Sequence, residues 1–285
     1  MIKEIEKLNI GVEEEYQLID PKTRELTSYV TELLKEGALI SENDIKPELL
    51  QSQIEIGSNV CDNIEDLEKD LSRLRLLIKK YANKNGLEFI AAGTHPFSHW
   101  KNQIVTDKSR YHGFMDSTQY VGKRMLIFGM HVHIGIEDKD LRIDVMNQMR
   151  YFIPHIMALA SSSPFWQGGN TGFKSFRSII FEDLPRTGVP ETFLSYQEYS
   201  RYVETLVRSN SIDDPTKIWW DMRPHSVYPT VEFRMCDCCT SLKDAVSIAA
   251  LIQALVAKLI VLRAYNQKWR DYRGSLIHEN KWRSA

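Results

Sequence analysis

Apolar and polar residues alternate with period two in four separate stretches of this chain, and each polar face carries groups able to hold metal or phosphate. In Leu8–Asp20, Ile10, Val12, Tyr16 and Leu18 fall on one side of a predicted strand, with Gly11, Glu13, Glu15 and Gln17 on the other. Only Glu14 interrupts the apolar side. Gln53–Gly57 repeats the pattern with Glu55, Ile127–Glu137 with His131 and His133, and Thr230–Cys236 with Glu232 and Arg234. Any one of these faces, alone, could be the solvated side of an antiparallel sheet, and the two histidines could be a core pair. The glycines that flank the histidines predict close approach of a ligand.

Helices are predicted between the strands. Asp62 and Glu65 form a capping-box pair ahead of Ile64, Leu67, Leu71, Leu74, Ile78 and Tyr81, and Asn85-Gly86 ends that helix. Further helices are expected at Thr27–Glu36, at Leu141–Ser161 with a kink at Pro154, from the Ser195 cap to about Ser209, and from Thr240-Ser241 to about Tyr265. Leu87–Ala92 reads as a strand, and Lys217–Arg223 as the partner of Thr230–Cys236. No linker or repeat divides the chain, so residues 1–285 are expected to form one α+β domain: a curved, mostly antiparallel sheet backed by helices.

Composition narrows the function. The 36 basic and 38 acidic residues nearly cancel, so no global field recruits nucleic acid or a membrane. Cys61, Cys236, Cys238 and Cys239 do not form a spaced disulfide framework, and Cys236-Asp237-Cys238-Cys239 lacks the second half of a zinc site. The first seven residues carry acids and no apolar run, which predicts no signal peptide. Ala245–Leu262 has bare spanning length but includes Lys258, which favours a buried helix. A cytoplasmic protein is expected.

Were the strands neighbours, one face would carry Glu13, Glu15, Glu55, His131, His133, Glu232 and Arg234. Crowded carboxylates raise one another's pKa unless cations intervene, and oxygen-rich ligation favours Mg²⁺ or Mn²⁺ over zinc. Magnesium keeps positions for phosphate oxygens, so a nucleoside triphosphate is the implied partner. Neither Gly-rich phosphate motif is present, which leaves Arg177, Arg186, Arg223 and Arg234 to hold phosphates. A two-metal phosphohydrolase and a non-catalytic nucleotide- or metal-binding protein use the same groups.

Gly11-Val-Glu-Glu-Glu-Tyr16, Gly93-Thr-His-Pro96, Gly129-Met-His-Val-His-Ile-Gly135, Ser163-Pro-Phe165, Gly172-Phe-Lys-Ser-Phe-Arg177, Pro185-Arg-Thr-Gly188 and Val231-Glu-Phe-Arg234 occur in this order. In that order they resemble the second glutamate-cysteine ligase family, and within it the bacterial carboxylate-amine ligases with weak glutamate-cysteine ligase activity. The resemblance implies the catalytic bowl of glutamine synthetase and use of ATP and Mg²⁺ to activate a carboxylate as an acyl phosphate. An amine then attacks it; glutamate and cysteine are the implied pair, and a homodimer fits the family. It implies metal ligation by Glu13, Glu15, Glu55, His131 and Glu232. His133 and Arg234 would face the phosphates, while Arg177 and Arg186 would hold phosphate or substrate carboxylate. Family members usually run on beyond the position of Ala285 here, so a C-terminal part is expected to be lacking.

Overall fold

The alternating stretches meet as strands of one sheet in the computed structural model, which describes residues 8–31 and 45–285. In chain order the strands are β1 (Ile10–Ile19), β2 (Ile45–Pro47), β3 (Gln53–Gly57), β4 (Glu88–Ile90), β5 (Gly129–Gly135), β6 (Phe165–Trp166), β7 (Gly169–Asn170), β8 (Thr187–Gly188), β9 (Trp219–Trp220), β10 (Met222–Pro224) and β11 (Thr230–Asp237). The helices are α1 (Ile64–Lys84), α2 (Ser109–Lys123), α3 (Lys139–Met149), α4 (Ile153–Leu159), α5 (Phe176–Phe181), α6 (Tyr196–Arg208), α7 (Leu242–Ala264) and α8 (Gly274–Ser284).

The main sheet runs β10-β11-β5-β1-β3-β2, antiparallel throughout, and β4 takes the stretch of the β1 edge that β5 leaves. Its register aligns the polar residues across five strands: Glu15 opposite Glu55, Glu13 opposite His131, His133 opposite Glu232, and Glu232 opposite Arg223. Ile10, Val12, Ile54, Ile56, Met130, Val132, Ile134, Val231 and Phe233 are buried beneath α1, α3, α4 and α7. A one-residue slip would exchange the two faces, so burial of this apolar side fixes where the acids point.

Glu14 breaks the apolar pattern without breaking the core. It is fully buried and pairs with Arg75 of α1 at 2.5 Å, while the Tyr16 hydroxyl also donates to it. Arg75 spends its other donors on the Cys239 and Thr240 carbonyls, tying α1 to the chain just before α7. By length and composition α7 could cross a membrane. Here Ala245, Ile248, Ala249, Ile252, Val256, Leu259 and Ile260 are buried, and Ser241 caps its start.

Several elements depart from the sequence expectation. α1 is capped one residue later, by Asn63 accepting from the Asp66 N–H. The expected single helix from Leu141 is two, separated by a 3₁₀ turn at Arg150–Phe152; Pro154 sits in the first turn of α4, where its missing N–H costs little. α2 was not signalled by apolar periodicity and is bent at Gln119, whose φ is 52°. Lys217–Arg223 divides into a 3₁₀ turn, β9 and β10, because β9 pairs with β8 and only β10 joins β11. The strand expected at Leu87–Ala92 shortens to β4, and the helix expected at Thr27–Glu36 lies largely outside the described residues, as does the N-terminal heptad.

Candidate active site

The polar face of the sheet floors a cavity of about 1180 Å³. Glu13, Glu15, Glu55, His131, Arg177, Arg223, Glu232 and Arg234 all line it, so the four alternating stretches converge as expected. His133 lies just behind the wall, under the ring of His225 at 5.4 Å between centroids.

At one end, Glu13, His133 and Glu232 bring one ligand atom each to within 4.8 Å of one another. His133 Nδ1 is 3.1 Å from Thr230 Oγ1, which leaves Nε2 free of hydrogen bonds although buried, 3.7 Å from Glu13 Oε2. His131 Nδ1 lies 3.2 Å from the same Glu13 oxygen and 3.9 Å from Glu232. Glu232 also takes Arg223 Nε at 2.7 Å and Arg234 Nη1. Burial works to raise both acids, but the histidines hold Glu13, and Arg234 and Arg223 hold Glu232, well below the usual carboxylate range. Burial, with Arg234 nearby, lowers His131 to about 4, so its ring is neutral.

At the other end the balance reverses. Burial and the charge of Glu48 push Glu15 up to about 7, against Arg177 and the Gly129 N–H. Burial with Glu48, Glu13 and Glu15 pushes Glu55 well above its ordinary value, and Lys46 at 3.9 Å does not offset this. Three acids crowded without a matching cation are a demand for positive charge. Glu48 follows the three-residue β2, where no alternation marks it.

The arginines divide. Arg177 and Arg234 line the cavity, and each keeps a buried Nε without a partner. Arg223 is committed: besides Glu232, its Nη1 donates to the Thr216 and Ile218 carbonyls at 2.7 and 2.6 Å. Arg186 stands behind the wall, stacked 5.2 Å from the Trp219 ring with Nε on the Lys217 carbonyl.

Two supports were not read from the sequence. β11 bulges after Phe233: Phe233 faces Val132 but Cys236 faces Met130, one residue more on β11 than on β5. Asp237 thereby comes opposite Gly129, where it accepts from the Ser162 N–H and from the Ser163 and Ser175 hydroxyls at 2.8, 2.6 and 2.8 Å. Ser163 Oγ in turn accepts from the Arg177 N–H, and Arg177 Nη2 donates to the Arg234 carbonyl at 3.3 Å. A Cβ on Gly129 would lie 2.3 Å from Arg177 Nη2, so the space over this glycine is filled by the protein's own arginine, and that over Gly135 by Asn9. Asp221 is the second support: its carbonyl accepts from the Arg234 N–H at 2.7 Å, and Lys281 of α8 grips its carboxylate at 2.7 Å.

The family model for glutamate-cysteine ligase family 2 matches residues 9–285. A Herpetosiphon aurantiacus protein named "Putative glutamate--cysteine ligase 2" is 50% identical over 97% of this chain and 72% of its own length. A Sorangium cellulosum protein of the same name is 46% identical over 98% of this chain and 75% of its own. Among solved structures, a bifunctional glutathione synthetase from Pasteurella multocida superposes with a TM-score of 0.74 at 14% identity, over all of this chain and 42% of that one. A glutamate-cysteine ligase from Francisella tularensis in complex with AMP gives 0.67 at 14% identity, over 97% of this chain and 70% of that one. The antiparallel sheet with its helices is therefore the fold shared with these two solved structures, and the chain belongs to glutamate-cysteine ligase family 2.

Proposed function

We propose that this chain spends ATP to join an amino-acid carboxylate, glutamate first among candidates, to an amine, cysteine first, through an acyl phosphate. The observation that carries the reading is the meeting of Glu13, His133 and Glu232 from three adjacent strands, with an unpartnered buried nitrogen on His133, at a cavity whose lining includes Arg177 and Arg234, each with an uncommitted Nε.

Glu13, His133 and Glu232 would hold one divalent cation, and Glu15 and Glu55 with Glu48 a second; Mg²⁺ suits this oxygen-rich set, and Mn²⁺ can replace it. This moves His133 into the ligand set and leaves His131 to orient Glu13. The cations supply charge neutralisation for phosphoryl transfer. Arg234 and Arg177 offer N–H groups to the transferring phosphoryl oxygens, in a site where fixed donors need no reorganisation. Arg223 keeps Glu232 ionised and pointed, and Arg186 steadies the Trp219 wall. We take residues 1–285 as one catalytic domain that spans 70–75% of its curated relatives' length. The four reduced, buried thiols fit a cytoplasmic location.

ADP release measured over a panel of amino acids as carboxylate and amine, with and without Mg²⁺, tests this. ADP formation that needs both substrates and the metal is the expected result. Phosphate release from simple esters without amine or ATP would point to a phosphohydrolase, and no heat on titrating ATP with Mg²⁺ would remove the nucleotide site.

A further inference from the structure

A second cleft, of about 870 Å³, opens between residues 187–192, the α3–α4 junction and the start of α8. Arg150 lines it with only 5% of its surface exposed. Its Nε has no hydrogen-bond partner among the described residues, and its ion pair with Asp271 Oδ1, 3.8 Å from Nη1, is too long for a hydrogen bond. Folded chains seldom keep a guanidinium out of water without an anion to meet it.

The start of α8 points to the same occupant. Arg273 at its N-cap provides no side-chain cap, and the Gly274 and Ser275 N–H groups have no partner among the described residues. A Cβ on Gly274 would lie 3.0 Å from Arg150 Nη2, so the guanidinium and the open helix start share one small volume. Negative groups border it as well: Glu182 is committed to Lys281 at 2.7 Å, which leaves Asp271 and Glu191 along the cleft. A fixed cation and donor N–H groups beside two carboxylates, neither hydrogen-bonded to that cation, match a zwitterion better than a phosphate, whose charge Asp271 and Glu191 would repel.

We propose that this cleft binds a free α-amino acid, with its carboxylate on Arg150 and the α8 start and its ammonium against Asp271 or Glu191. The site is separate from the metal-binding face and does not depend on the ligase reading.

The test is an amide-resolved NMR titration of the full chain with the common L-amino acids, acetate, methylamine and inorganic phosphate. Saturable shifts at Gly274 and Ser275 are expected with at least one amino acid, and binding at least tenfold tighter than to acetate, methylamine or phosphate. Arg150→Met should weaken that binding tenfold or more. So should Gly274→Ala, which fills the cradle while favouring the helix, so that loss of fold does not confuse the result. No shift at the α8 start, equal binding of phosphate, or unchanged affinity in Gly274→Ala would overturn the proposal.

Discussion

Replacing Glu15 by Gln should stabilise the metal-free protein while weakening the second of the two cation sites. The carboxyl sits near 7 instead of its usual 4.5 because burial, and then Glu48, disfavour its charge. A folded-state pKa above the unfolded one means that no penalty exists well below pH 4.5; it builds as pH rises and is complete above about 7. A displacement of about 2.5 units corresponds to a ceiling of about 3 kcal/mol. Because the side chain faces an open cavity rather than the dry core, roughly half of that is expected, about 1–2 kcal/mol. Glutamine retains an oxygen for the Gly129 N–H, so the comparison isolates charge. Urea unfolding in EDTA should show the variant gaining on wild type from pH 5 to pH 8, and added Mg²⁺ should close or reverse the gap by stabilising wild type more than the variant, which keeps only the site at Glu13, His133 and Glu232. A gap independent of pH, or one that shrinks as pH rises, would refute the account of this cluster.

Glu55→Gln or Glu232→Gln should abolish ATP-dependent amide formation with circular dichroism unchanged, and wild-type turnover in either would remove the ligand assignment. Glu14→Gln should cost about 3–5 kcal/mol by stranding the Arg75 charge in the core, and adding Arg75→Met should recover much of it in the same urea assay. Asp237→Asn should lower kcat at least tenfold with little change in KM for the carboxylate, because the serines that seat Arg177 lose an acceptor; a change confined to melting temperature would make Asp237 merely structural.

The period-two stretches were legible because one face of each is buried, and that burial leaves the acids and histidines only one direction to point. Glu14 looked like a flaw in that pattern because its partner lies 61 residues away on α1, a distance no local rule spans. Glu48 had no pattern to betray it, and Arg223 and Arg186 were read as phosphate binders because free and committed guanidinium groups look alike in sequence. The bulge in β11 was hidden most completely. Val231, Phe233 and Met235 keep the alternation going, yet the extra residue turns Cys236 to the apolar side and Asp237 to the polar one. The Arg234 N–H continues the β10 register to the Asp221 carbonyl, while the Arg234 carbonyl accepts from Arg177, so the backbone beside the bulge ties the two arginines together. The Cys236–Cys239 motif thus has its physical reason in the acid between its thiols: Asp237 gathers three serine groups and fixes where Arg177 begins.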